Sequence, residues 1–357
     1  MFKLSVLPAS YGDCLWIEYG QEEAPRVVLI DAGPSVPQSL ISRLEALRAR
    51  RGRIELMVVT HVDADHIAGA LKLLENDFYG VEVADFWFNG FRHLPGIQAF
   101  GEKQGERLTE LITEKGYPWN KAFNHASVMV DDKEGRYPRV DLEGGAWITL
   151  LSPDAEQLMK LKKRWIDVCG DANLYRDIIP VPGADQAPGN EAFGDIVLVD
   201  VDTLAQTAFI EDSAVANGSS IAFEFNFGSK AILCAADAYP SRLLKSLRAL
   251  RPGQRFSFDA VKLPHHGSQN NVSLDLVSAI DCPRFIFSSN GAKFGHPSKA
   301  AVARVIRQGR NPKLIFNYSS QFNEVWGDLP FPIPYPFTVE YGDDDGSVLD
   351  LTQTDCP

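Results

Sequence analysis

The 357-residue chain lacks any paired-cysteine pattern: Cys14, Cys169, Cys234, Cys282 and Cys356 are odd in number and widely scattered, with no Cys-x-x-Cys. This argues against a disulfide framework and a thiolate zinc site, and a reducing, cytoplasmic compartment is expected. Cys14 and Cys234 lie in apolar strand contexts and read as small core residues. Positive charge is also short, with 35 Lys and Arg against 47 Asp and Glu, a net charge of −12. A broad, non-specific grip on nucleic acid needs clustered positive charge, so only a local basic groove fits this balance. No apolar run approaches the length of a bilayer span, and none follows a basic start. Neither a membrane helix nor a signal peptide is therefore expected. No internal repeat recurs at a fixed period.

What remains has the composition of an ordinary globular protein, 45% hydrophobic and 23% charged. The length permits one large domain carrying a substantial insertion. The first 90 residues read as β-β-β-α-β-α-β, with strands near 2–8, 14–19 and 27–31, a leucine-periodic helix over 39–47 and a strand over 54–59. Residues 90–215 differ in texture. They hold a polar helix near 99–115, a strand over 146–151 and a stretch rich in Pro, Gly, Asp and Asn through 170–195. This region reads as an insertion or lid over the face that carries the site, and as a possible protein-partner surface. Order returns with strands at 220–225, 230–234, 258–263 and 284–288, and with helices starting at Ser241 and Pro297.

The densest chemical signal is Val59-Thr60-His61-Val62-Asp63-Ala64-Asp65-His66, four metal-capable side chains within six residues between a core strand and a helix. Strand-to-helix turns at the carboxyl ends of strands are where α/β proteins build their sites. His61 and Asp63 alternate as on an extended chain and point the same way. Asp65 and His66 enter the helix and face a second point, so such a turn can hold two metals. The bland alternative, that Asp63 or Asp65 merely caps the helix, explains one such residue and not four.

Asp237 closes the strand Leu233–Ala236, where a carboxylate is costly unless paired or metal-bound. His265-His266-Gly267 ends another strand. Neighbouring histidines on an extended chain face opposite ways, so at most one is expected to bind a given metal. His296 precedes a helix at Gly295-His296-Pro297. His93 and His125 have no companions and are expected to play no part. Five of the seven histidines thus sit at strand ends. Imidazole and carboxylate without thiolate suits zinc or manganese and does not choose between them.

With these residues in place, the chain resembles the metallo-β-lactamase-fold hydrolases, whose usual His-x-His-x-Asp-His motif here reads His-x-Asp-x-Asp-His. That variant, with Pro264-His265-His266-Gly267-Ser268 and Gly295-His296-Pro297, is similar to the hydrolase domain of the ComEC-type DNA-uptake proteins and their stand-alone relatives. It also looks like the phosphorylcholine esterases of the same fold. Gly12-Asp13, Leu29–Gly33, Asn217–Ser220 and Ser289-Asn290-Gly291 extend the match over residues 1–90 and 217–310.

The resemblance implies an α/β fold, the metallo-β-lactamase αββα sandwich, as a single domain over 1–357 with the insertion at about 90–215. It implies two divalent metal ions. His61, Asp63 and His266 would hold one, Asp65, His66 and His296 the other, and Asp237 would bridge them. Asp31 would orient the metal turn. Ala236 stands where relatives usually have Gly before the bridging Asp.

The expected activity is a metal-dependent phosphodiesterase or nuclease using a metal-bridging hydroxide, with His265 as proton donor or phosphate contact and Ser268 and Asn290 as substrate contacts. The expected substrate is a phosphodiester, possibly DNA or RNA, and no membrane partner is expected. The same site could instead cleave carboxyl esters, lactones or thioesters, or could stabilise an interaction component of a multi-protein defence system. Lys160–Arg164 is a compact basic run, and a solvated helix face is its simplest reading.

Overall fold

The computed structural model describes residues 1–94, 103–170, 199–327 and 334–352. Residues 171–195 of the Pro- and Gly-rich stretch lie outside them. Short β-branched and aromatic runs form the strands, as their half- or fully buried patterns require. In chain order these are β1 (Phe2–Val6), β2 (Leu15–Gly20), β3 (Pro25–Ile30), β4 (Ile54–Val58), β5 (Phe86–Trp87), β6 (Arg139–Asp141), β7 (Ala146–Ser152) and β8 (Ala222–Phe227). They continue with β9 (Lys230–Cys234), β10 (Phe256–Ser257), β11 (Ala260–Lys262), β12 (Ile280–Asp281), β13 (Arg284–Phe287), β14 (Lys313–Phe316), β15 (Thr338–Tyr341) and β16 (Ser347–Asp350).

One sheet has the order β16-β1-β2-β3-β4-β5, and a second has β15-β14-β13-β11-β9-β8-β7-β6. Both are mixed. Antiparallel hairpins β1–β2–β3 lead into the parallel pairs β3–β4 and β4–β5. In the second sheet β9, β11, β13, β14 and β15 run parallel and β6 to β9 antiparallel. Parallel neighbours need crossovers, and helices supply them: α1 (Gln38–Ala49) joins β3 to β4, and α2 (Ala64–Glu75) follows β4.

Residues from both sheets, among them Leu4, Ile17, Val58, Phe223, Ile232 and Ile286, share one apolar layer between them. On the outer face of the first sheet, α1, α2 and α3 (Lys103–Glu114) bury their apolar stripes, as does α4 (Ala155–Gly170) through Leu158, Leu161 and Trp165. The short α5 (Val201–Ala205) and α6 (Val215–Gly218) lead back to β8. Beyond the second sheet lie α7 (Pro240–Leu250), α8 (Leu274–Ala279) and α9 (Lys299–Gln308). The layers are therefore helix, sheet, sheet, helix.

The stretch 90–215 is not uniform. Its residues 139–152 form β6 and β7, and β7 pairs with β8 along its length, so this part belongs to the core sheet. The strand expected over 258–263 is the shorter β11, Ala260–Lys262, and Phe256–Ser257 before it pairs separately with Ile280–Asp281.

Candidate metal centre

The carboxyl ends of β3, β4, β9, β11 and β13 converge, and each delivers a polar residue expected from the sequence. Asp31 follows β3, the His61–His66 turn follows β4, Asp237 follows β9, His265 and His266 follow β11, and His296 lies in the loop after β13. The turn after β4 is pinned by the backbone: Ile221 N–H donates to Thr60 O at 2.9 Å. Gly12 lets the β1–β2 loop press on the same turn. A Cβ at that position would meet Asp65 O at 1.9 Å, so only glycine permits the approach.

Asp237 is the focus. Its Oδ2 lies 3.8 Å from His61 Nε2, 3.3 Å from His66 Nε2, 3.8 Å from His265 Nε2 and 3.8 Å from His266 Nε2. Asp65 Oδ2 stands 3.8 Å from His66 Nε2 and 3.6 Å from His266 Nε2. Asp63, half-exposed at the rim, is 3.6 Å from His61 Nε2. Donor atoms of His61, His66 and Asp237 gather within 4.8 Å of one another, and so do those of Asp65, His66 and His266. His266 thus groups with Asp65 and His66 rather than with His61 and Asp63. The ring of His296 stands 6.4 Å from that of His266 and 5.1 Å from that of His265.

The capping alternative does not describe these carboxylates. Asp63 occupies the N-cap of α2 without a side-chain capping bond, and Asp65 lies inside that helix rather than at its cap.

Each central imidazole is oriented through Nδ1. His66 Nδ1 donates to Asp31 Oδ2 at 2.8 Å. His61 Nδ1 meets Thr60 Oγ1 at 3.0 Å, and that hydroxyl donates onward to Asp31 Oδ2 at 2.7 Å. His266 Nδ1 donates to Ser288 O at 3.0 Å and faces Asp13 Oδ1 at 3.1 Å. With Nδ1–H used outward, Nε2 keeps its lone pair facing inward, the arrangement by which carboxylates and carbonyls set metal-binding histidines. The Nε2 atoms of His61, His66 and His266 and Oδ1 of Asp237 are buried with no hydrogen-bond partner. Unsatisfied buried polar atoms are costly, and three imidazole nitrogens gathered around Asp237 Oδ2 fit a cation.

The backbone carries strain here. Asp31, Ala236, His265 and His266 adopt left-handed conformations, with φ of 55°, 47°, 49° and 54°. Non-glycine residues in this region cost energy and concentrate at functional sites. It corrects one expectation: His265 and His266 are not on extended chain and do not face opposite ways. The turn swings both rings towards Asp237, and Gly267, at φ 86°, completes the reversal.

Charge follows the geometry. Burial alone would raise Asp237 and Asp65, but the surrounding histidines outweigh it and hold both well below the usual carboxylate range. Burial disfavours charge on His265 as well, yet Asp237 and Asp212 override it and push it up to about 10. Burial and the neighbouring His265 and His266 push His296 well down. His265 is braced from behind. Its Nδ1 donates to Asn271 Oδ1 at 3.0 Å and faces Asp212 Oδ2 at 3.6 Å, while Asn217 and Asn271 both donate to that carboxylate, at 2.7 and 3.0 Å.

Three residues of this assembly were not singled out from sequence. Asp212 sits in an irregular stretch with no companion. Asp13, quoted above only as part of a Gly-Asp pair, is buried. Lys262 is fully buried, the penultimate residue before Pro264, and its Nζ pairs with Asp13 Oδ2 and donates to Ala236 O at 3.3 Å.

The two expected substrate contacts are placed differently. Ser268 is fully buried, its Oγ accepting from Asn270 N at 3.2 Å inside the turn. Asn290 is half-buried, and its Oδ1 accepts from Ala292 N at 3.0 Å. Outside the site, His93 packs edge-on against Trp119, and His125 Nδ1 donates to Trp119 O at 2.9 Å.

Residues 9–152 match the family model described as the metallo-beta-lactamase superfamily. Among solved structures the chain is similar to a diphosphatase from the PhnP family, at 14% identity over 98% of both chains and a TM-score of 0.41. It is similar to the short form of human tRNase Z, at 10% identity over 98% of this chain and 99% of that one, TM-score 0.42. A third is a diiron beta-hydroxylase from Streptomyces venezuelae, at 13% identity over 98% of this chain and 54% of that one, TM-score 0.44. No curated protein sequence matches the chain. The match to that superfamily model is confined to residues 9–152, and the two facing mixed sheets with helices outside are the metallo-beta-lactamase fold.

Proposed function

We propose that the protein is a metal-dependent phosphodiesterase with two divalent cations, zinc or manganese, held by His61, Asp63, Asp65, His66, Asp237, His266 and His296. The observation that carries this reading is the set of buried, partnerless imidazole Nε2 atoms of His61, His66 and His266 directed at Asp237. The charge balance supports two ions. With Asp212 set against a protonated His265, Asp13, Asp31, Asp63, Asp65 and Asp237 bring five negative charges against the one positive of Lys262, and two divalent cations offset the remainder. Bound there, such cations lower the pKa of water towards neutrality and neutralise phosphoryl oxygens.

His265 is the proton donor. Asn271 and Asp212 fix its ring, and the Asp212 carboxylate beside its Nδ1 favours the protonated imidazole. As a water oxygen bonds to phosphorus, the bond to the leaving oxygen breaks and that oxygen takes the proton from His265. Asp31 and Thr60 hold His61 and His66 in register, and the Gly12 contact fixes the turn that carries Asp65.

A small phosphodiester fits better than a long nucleic acid. The compact basic run does not form a groove: Lys162 is buried, 5.5 Å over the Phe91 ring, and Lys160 is paired with Glu156 at 2.8 Å. The test is a substrate panel on protein loaded with zinc or manganese: bis(4-nitrophenyl) phosphate, 4-nitrophenyl acetate, single- and double-stranded DNA, RNA and cyclic dinucleotides. Phosphodiester cleavage abolished by Asp237→Asn is expected. Cleavage of the acetate alone would replace this reading with carboxyl-ester hydrolysis.

A further inference from the structure

Two loops that are distant in sequence meet beside the metal centre. The β1–β2 loop and the loop after β13 are tied by Asn290 N–H donating to Ser10 O at 2.9 Å, and Ser10 N–H donates to Tyr318 Oη at 2.7 Å. The second loop closes on itself through Gly295 N–H and Gly291 O at 2.9 Å. Both glycines have positive φ, 75° at Gly291 and 70° at Gly295, and the turn packs over Phe322. This fold-back presents Lys293 and Phe294 to Tyr11. The Tyr11 and Phe294 rings meet edge to face at 6.1 Å, and Lys293 Nζ lies 4.7 Å from one ring centroid and 4.8 Å from the other.

The cluster borders the ligands directly. Phe294 stands 6.1 Å from the ring of His296, and Tyr11 precedes the glycine pressed on Asp65. Burial first, and then the Asp65 charge, raise the Tyr11 phenol above its ordinary value. Tyr11 and Phe294 are only half-buried, Lys293 is exposed, and among the described residues no carboxylate pairs with Lys293.

The geometry points to a substrate subsite, formed by Tyr11, Lys293 and Phe294, that takes the nucleoside portion of a nucleotidyl phosphodiester; this rests on the phosphodiesterase reading above. The half-buried rings stand edge to face, so a planar base can stack on one of them and meet the edge of the other, and stacking tolerates any base. Lys293 supplies the positive charge that a phosphate-bearing group attracts. The same lysine excludes the obvious competitor. A quaternary-ammonium headgroup would seek the same rings, and the like charge of Lys293 repels it there, whereas a neutral base meets no such repulsion.

The test compares three esters with one leaving group: the 4-nitrophenyl ester of thymidine 5′-monophosphate, methyl 4-nitrophenyl phosphate and 4-nitrophenyl phosphorylcholine. Binding of thymidine 5′-monophosphate is measured in parallel by calorimetry, and metal content is assayed in every variant. The thymidyl ester is expected to have the highest kcat/KM and the choline ester the lowest. Phe294→Leu and Tyr11→Leu should raise KM for the thymidyl ester by about 5- to 100-fold more than for the methyl ester, with metal content kept. Lys293→Gln should narrow the gap between thymidyl and choline esters.

Equal kcat/KM for thymidyl and methyl esters, or variants that affect both alike, overturns the inference. If no ester is hydrolysed, the phosphodiesterase reading fails, and the calorimetry still decides the subsite. Thymidine monophosphate binding lost in Phe294→Leu supports it, and binding unchanged by both aromatic variants overturns it.

Discussion

Removing the charge of Asp13 should do more damage than removing most surface charges, because of what it leaves behind. Lys262 is fully buried, and its ammonium has Asp13 as its close carboxylate partner, with Asp237 Oδ1 at 4.0 Å and the Ala236 carbonyl at 3.3 Å. Asp13→Asn keeps the shape of the side chain and strips the charge. Breaking a buried pair by deleting one partner costs about 3–5 kcal/mol, because the other charge is left uncompensated. Asp237 remains nearby, so the lower end, about 3 kcal/mol, is expected, a fall in Tm of about 4 °C in a domain of this size. Lys262→Met should cost a similar amount, since it leaves Asp13 held only by Ser288 and His266. The double variant should be more stable than the two single losses imply, with a coupling of at least about 2 kcal/mol. Calorimetric unfolding of the metal-loaded protein and its three variants reads this directly. Single losses under about 1 kcal/mol, or strict additivity in the double variant, would show that the pair does not act as a unit.

Two further outcomes follow from the same geometry. Gly12→Ala should push the Asp65 backbone away, because its Cβ would start 1.9 Å from Asp65 O. A stability loss of about 1–3 kcal/mol and weaker metal retention against a chelator are expected, and wild-type Tm with wild-type retention would contradict the role given to that contact. His93 provides a pH test away from the site. Burial, with Arg92 and His125 adding to it, lowers it from 6.5 to about 4, so between those values the unfolded chain binds a proton that the folded chain refuses. Stability should therefore fall as pH drops from 6.5 to about 4, by about 3 kcal/mol in all, and flatten below. His93→Gln should lose that component, and an identical pH profile in the variant would refute the assignment.

What the sequence showed, and what it hid, divides along contact range. The His61–His66 turn is legible because four metal-capable residues stand together between a strand and a helix. Asp237 and His266 are legible because a polar residue closing an apolar strand is conspicuous. Asp13 and Lys262 are not. Each looks ordinary in its own segment, and only the pairing of β9 with β11 and the packing of the two sheets bring them together. The same holds for Tyr11 and Phe294, joined by a loop-to-loop contact that no periodicity announces.

Strand alternation misleads at the histidine pair because it stops at Lys262, the end of β11, three residues before His265. The left-handed turn at His265 and His266 is set by Gly267 and by His265 N–H donating to Ala236 O at 2.9 Å. Ser268 looked like a contact on chemistry alone, and the same turn folds it inward. In the 90–215 stretch the strand expected over 146–151 is β7, whereas β6 is hidden among polar segments, because an edge strand such as Arg139–Asp141 carries little apolar signal.

The most direct test of the central claim is a metal titration. Protein stripped by chelation is titrated with zinc or manganese while turnover of bis(4-nitrophenyl) phosphate is followed at each step. The rate should rise with added metal and level off at about two equivalents per chain, as expected of a two-metal site. No turnover at any loading, in protein that remains folded, would contradict it.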